Sequence, residues 1–114
     1  MKVIVAGSRN FNNYKLLKEK LDKIKEKYTI EIVSGGANGA DKFGEQYSKE
    51  NNLKVHLFPA DWNKFGKSAG YLRNRDMAKF GDILIAFWDG KSKGTQHMIE
   101  LAKMYKLKIA VIRF

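Results

Sequence analysis

The 114-residue chain has no cysteine and a single proline. None of its apolar runs approaches the roughly 20 residues that a membrane-spanning helix needs. Without cysteine there is no disulfide framework, no thiol nucleophile and no thiolate metal site, so a cytoplasmic setting is the default expectation. The opening MKVIVAGSR breaks at glycine after a few apolar residues and does not read as a secretory signal. Histidine is scarce too. His56 and His97 stand alone, without the spacing of paired metal ligands, and no Ser–His–Asp arrangement emerges. No metal and no resident cofactor are expected. Acidic residues are also in short supply: 12 stand against 22 basic ones, a formal charge of +10.

That charge favours anionic ligands, nucleotides among them. It points less to nucleic acid. Lys15, Lys18, Lys20, Lys23, Lys25 and Lys27 are spread along one predicted helix and read as a solvated face. Hydrophobic residues make up 44% of the chain, a globular composition, and the length suits one domain over residues 1–114.

Apolar runs and helical periodicities alternate throughout. Strands are expected at 2–7, 29–33, 54–58, 82–88 and 108–114. Helices are expected at 14–27, 40–51, 69–80 and 95–105, the last burying Met98, Leu101, Ala102 and Tyr105. Residues 59–68 read as a loop long enough to be functional. Such alternation predicts an α/β fold, a parallel five-stranded sheet with helices on both faces and right-handed crossovers. No linker, repeat or low-complexity segment interrupts it. A sheet this small often needs a partner to cover its helices, so a homo-oligomer is expected.

Ligands of such sheets bind beyond the carboxyl ends of the strands. Those ends are GSRNF (7–11), SGGANGAD (34–41), PADW (59–62) and WDGKSKGT (88–95). Every unusual stretch of the chain thus falls on one rim. Gly35 and Gly36 let main-chain amides approach a phosphate, assisted by the Ser34 hydroxyl and the following helix N-terminus. Asp41 repels phosphate, so it either caps the helix or takes a ribose hydroxyl. Gly94 and Thr95 repeat the logic after the fourth strand, with Thr95 at the helix start. The amides of the two corners are expected to grip an anion jointly.

Gly7, Ser8 and Arg9 share the rim. Arg9 either forks onto phosphate or pairs with a surface carboxylate. Trp62 and Trp88 end there and either stack on a base or pack internally. Asp61 and Asp89 add rim carboxylates. Arg73 and Arg75 sit two apart on a helix, so at most one of them aims at the rim.

GSRNF, SGGANGAD, PADW, AGYLRNRDM and DILIAFWDGKSKGT, in that order, resemble the SLOG superfamily, which groups Smf/DprA proteins with LOG-type phosphoribohydrolases. The similarity is greatest to its short, stand-alone YspA-like branch. The resemblance implies a Rossmann-like fold, a nucleotide or nucleotide-derived ligand and oligomers. It also carries over Arg73, four residues before Met77, as the arginine of LOG enzymes, and Gly94–Thr95 as their glycine–threonine pair. Their catalytic glutamate would fall at Met98.

The first functional expectation is therefore a non-catalytic binder of an ADP-ribose-like or cyclic-nucleotide signal, a sensor or a phage-type sponge in antiviral conflict. A LOG-like phosphoribohydrolase or N-glycosidase, with Arg73 catalytic, is the second. DprA-like single-stranded DNA binding, resting on the charge, is the third.

Overall fold

The computed structural model describes residues 1–114, and its core is a wholly parallel sheet. The near-continuous apolar runs KVIVAG and ILIAFW form β1 (Lys2–Gly7) and β4 (Ile83–Trp88). They lie side by side at its centre, as strands buried on both faces must. β2 (Glu31–Ser34) and β3 (Val55–Leu57) extend the sheet on one side and β5 (Lys108–Arg113) on the other. The strand order is β3-β2-β1-β4-β5.

The helices are α1 (Tyr14–Lys27), α2 (Ala40–Glu50), α3 (Trp62–Phe65), α4 (Ala69–Phe80) and α5 (Lys93–Met104), with a 3-10 turn at Gly66–Ser68. Side chains of β1 alternate between two cores, as strand geometry dictates. Val3 and Val5 meet Leu17 and Leu21 of α1 and Tyr47 of α2. Ile4 and Ala6 meet Met77 of α4 and Met98, Leu101 and Ala102 of α5. α1 and α2 thus cover one face while α4 and α5 cover the other. The connections leave β1 and β4 in opposite directions, which opens a crevice beyond their carboxyl ends.

Three sequence expectations shift. Residues 59–68 are not all loop: the Asp61 carboxylate accepts the Lys64 N–H at 3.1 Å and caps α3, and Gly66 ends it with φ +55°. α5 starts two residues early because Ser92, not Thr95, is its cap, the Ser92 hydroxyl accepting the Thr95 N–H at 3.3 Å. Tyr105 is exposed rather than buried. The helix stops at Met104, and a left-handed turn at Lys106 (φ 61°) carries the chain off the buried face. No helix is long and apolar enough to cross a membrane.

Candidate functional site

Two cavities meet at the rim. The larger, about 420 Å³, lies beyond β2 and β3 and has Leu57, Pro59, Ala60 and Trp62 on its apolar side. Its polar side carries Arg9, Lys42, Glu45 and Arg73. The smaller, about 110 Å³, lies at the β1/β4 crevice between Gly7, Asp41, Asn74, Gly94 and Thr95, with Met77 and Met98 at its apolar wall. Arg9, Ala37 and Arg73 border both, so the two form one bilobed cleft.

Arg73 is the hinge of this geometry. Its Nη1 donates to the Gly35 carbonyl at 2.6 Å and its Nε to Asn74 Oδ1 at 3.0 Å. Asn74, almost buried, donates in turn to the Gly94 carbonyl at 3.3 Å. A continuous chain of hydrogen bonds therefore ties the corner after β2 to the corner after β4. Gly35 is required at its position by this approach: a Cβ there would lie 2.5 Å from Arg73 Nη1 and 2.9 Å from Asp41 Oδ2. Gly36 and Gly39 have φ of +78° and +82°, left-handed values that glycine adopts freely.

Asp41 is 5% exposed. Its Oδ2 accepts the N–H groups of Gly35 at 3.1 Å and Ala37 at 3.4 Å. Burial pushes its pKa up to about 6, against the pull of the neighbouring Arg73 guanidinium and those two amides. The same desolvation lowers Arg73, against the attraction of Asp41. Asp41 is thus an internal anion seated where an external one was expected. The Gly36 N–H ends on the Ser34 hydroxyl at 3.1 Å. Joint capture of an anion by the amides of both corners is therefore corrected for Gly35, Gly36 and Ala37, whose amides are occupied by Asp41 and Ser34. The open groups are elsewhere. α2 has no side-chain cap on its first turn. In α5, Ser92 satisfies Thr95, while the N–H groups of Lys93 and Gly94, beyond reach of any helical carbonyl, stay open.

The predicted site residues divide. Arg9, Gly35, Gly36, Trp62 and Arg73 line the large lobe, and Gly7, Asp41, Gly94 and Thr95 line the small one. Arg9 is exposed and belongs to none of the chain's ion pairs, so its pairing with a surface carboxylate does not occur. The other five residues line neither lobe. Ser8 is buried and its hydroxyl accepts the Asp89 N–H at 3.1 Å. Ser34 donates to Glu45 Oε2 at 2.8 Å. Asp61 caps α3. The Asp89 carboxylate accepts the Lys91 and Ser92 amides, each at 2.8 Å, which hold its pKa below the usual range. The Trp88 ring is covered by Arg113, 5.2 Å from its centre, and its indole N–H donates to the Ser92 carbonyl at 3.0 Å.

The structure adds Lys42, Glu45 and Asn74. Glu45 stands one helical turn beyond Asp41 on α2, a spacing that puts both on one helix face and was legible in ANGADKFGE. Asn74 had no signal beyond its neighbour Arg73. Arg75 turns away from the cleft, toward Asp76 at 3.6 Å.

The fold and rim have counterparts in known proteins. DNA processing protein A from Helicobacter pylori, a structure described for its single-stranded DNA binding mode, superposes with a TM-score of 0.75 at 22% identity over 97% of this chain. The chain spans 64% of the length of that structure, and at this identity the likeness establishes the fold. The Gene 61 protein of Mycobacterium phage D29 is 35% identical over 121 residues, covering 99% of this chain and 95% of that protein. A family model described as YspA, cpYpsA-related SLOG matches residues 1–65, which carry Arg9, SGGANGAD and Trp62. The chain belongs to this YspA-related SLOG family.

Proposed function

We propose that the protein binds a nucleotide or nucleotide-derived ligand in the bilobed cleft without turning it over, as a sensor or sink for a signalling nucleotide. The base packs against Trp62, Leu57 and Pro59, and the phosphate lies between Arg9 and Arg73 and reaches the first turn of α5. The observation that carries this reading is Arg9, which belongs to no ion pair and lines, together with Arg73, a cleft of ligand size. Met98 supports binding over hydrolysis. It stands at the wall of the small lobe, where a LOG-like glycosidase would hold its glutamate, and a thioether transfers no proton. A homo-oligomer remains part of the proposal.

Titration calorimetry with AMP, ADP-ribose and 3′,5′-cyclic AMP tests it, with chromatography of each mixture for released base. The expected result is saturable binding of at least one, weakened about tenfold or more by Arg9→Ala, with no base released. Absence of binding by all three, or base release abolished by Arg73→Ala, overturns it.

A second reading, single-stranded DNA binding, draws support from the fold shared with DNA processing protein A and from the +10 charge. Neutralising several phosphates makes affinity fall steeply with salt. Tight oligonucleotide binding with such a slope, together with no mononucleotide binding, would favour it.

A further inference from the structure

Glu45 is the one acid around the large lobe, which otherwise gathers Arg9, Lys42 and Arg73. An acid among three cations weakens anion binding unless it has a task of its own. Its carboxylate is held in place, Oε2 accepting the hydroxyl of the fully buried Ser34 at 2.8 Å. Oε1 faces only Lys42 Nζ at 3.8 Å, too far for a hydrogen bond, and keeps its lone pairs for another donor. Its place in the sheet order is decisive. Ser34 ends β2, which lies between β3, whose last residue Leu57 begins the apolar wall that Pro59 continues, and β1, followed by Arg9. Glu45 therefore stands between the surface suited to a base and the guanidinium suited to a phosphate. In a nucleotide, the sugar occupies that interval.

We infer that Glu45 reads the ribose: its carboxylate accepts the 2′- and 3′-hydroxyls, so the cleft selects ribonucleotides and rejects 2′-deoxyribonucleotides, DNA included. An ionised carboxylate only accepts hydrogen bonds, and the donors at this position are the 2′-hydroxyl, which 5′-ribonucleotides and 3′,5′-cyclic nucleotides share, and the 3′-hydroxyl where it is free. The inference rests on the nucleotide reading above and sharpens it, because single-stranded DNA lacks the 2′-hydroxyl.

Calorimetry of the full chain with AMP, 2′-deoxy-AMP and IMP tests it. The wild type should hold AMP and IMP alike and 2′-deoxy-AMP about tenfold more weakly, the value of one charged hydrogen bond. Glu45→Ala should weaken AMP to the level of 2′-deoxy-AMP, and Glu45→Gln should fall between. Equal wild-type affinity for AMP and 2′-deoxy-AMP overturns the inference and leaves nucleotide binding standing. Preference for AMP over IMP that Glu45→Ala abolishes overturns it too, because the carboxylate would then read the exocyclic amine. If no nucleotide binds, both readings fall together. The wild-type ligand series and Glu45→Gln carry the test even where Glu45→Ala lowers stability.

Discussion

After β2, three main-chain amides end on side chains of the same corner, those of Gly35 and Ala37 on Asp41 and that of Gly36 on Ser34. After β4, Asp89 and Ser92 satisfy the loop, yet the first turn of α5 keeps two amides without a partner, one of them on Gly94 at the small lobe. The two corners look alike in composition, each small, glycine-bearing and followed by a helix. The glycine bend after β2 is a closed knot around a buried acid, with the uncapped first turn of α2 behind it, whereas after β4 it is the loop that is satisfied and the helix end that borders the cleft. A glycine-rich bend provides an anion site only when no carboxylate of the chain reaches its amides first. Here Asp41, in the first turn of α2, does reach them.

The sharpest way to test the contrast is to add a methyl group at each corner. Gly35→Ala forces a Cβ to within 2.5 Å of Arg73 Nη1 and 2.9 Å of Asp41 Oδ2. Displacing the guanidinium breaks its hydrogen bond to the Gly35 carbonyl and draws a favourable charge away from the buried Asp41, a change that costs about 2–3 kcal/mol. For a chain of this size the melting temperature should drop by roughly 10–20 °C, and ligand binding should be lost with it. A variant that melts within 2–3 °C of wild type would show that Arg73 and Asp41 do not lock the first corner.

Acidity probes the same knot. Asp41 rises from 3.8 to about 6 on folding, burial being the main cause, opposed by Arg73 and two amides and reinforced by Glu45. A carboxyl raised in the fold favours folding when protonated. Its contribution is complete below about 4 and is lost as pH climbs through about 6. The span corresponds to at most about 3 kcal/mol. Between pH 4 and pH 7, wild type should therefore lose about 2 kcal/mol relative to Asp41→Asn in urea unfolding. Parallel pH profiles for the two would mean that Asp41 is solvated and the corner open.

Capping distinguishes the second corner. Ser92→Ala removes the hydroxyl that accepts the Thr95 amide and should cost about 1 kcal/mol. The loss should appear as a lower melting temperature with the Asp41 pH dependence unchanged. A change in that pH dependence would show the corners coupled through Asn74 more tightly than their hydrogen bonds suggest.

The sheet was legible because each strand is a short apolar run bounded by polar or glycine residues, and each main helix has a periodic apolar face. The rim followed from topology alone, since every strand of a parallel sheet ends on the same side. What the sequence left hidden was direction. Ser8, Ser34, Asp61, Asp89 and Trp88 all lie near the rim but turn to neighbours in the chain, and that turn depends on distances between segments remote in sequence. Trp88, for example, faces Arg113 because β4 and β5 pair there, a register fixed only in the folded sheet. Asn74 links the corners for the same reason. Glu45 was the exception, readable from its four-residue spacing to Asp41.

Gly94→Ala should have the smallest effect, and it is the other half of the comparison. Gly94 has no atom within 4 Å of an added Cβ and does not adopt the left-handed region. Alanine in a helix is favoured over glycine by about 0.5–1 kcal/mol, less near a helix end. The substitution should raise stability by about 0.5 kcal/mol, opposite in sign to Gly35→Ala. Gly94 nonetheless lines the small lobe, and its amide is one of the two left open. A phosphate seated on that amide would meet the new methyl group, so affinity should fall a few-fold while stability rises. Unchanged affinity would place the phosphate wholly between Arg9 and Arg73 and leave the end of α5 out of the site. A loss of stability like that of Gly35→Ala would mean that the second corner is as closed as the first, and the distinction between them would not hold.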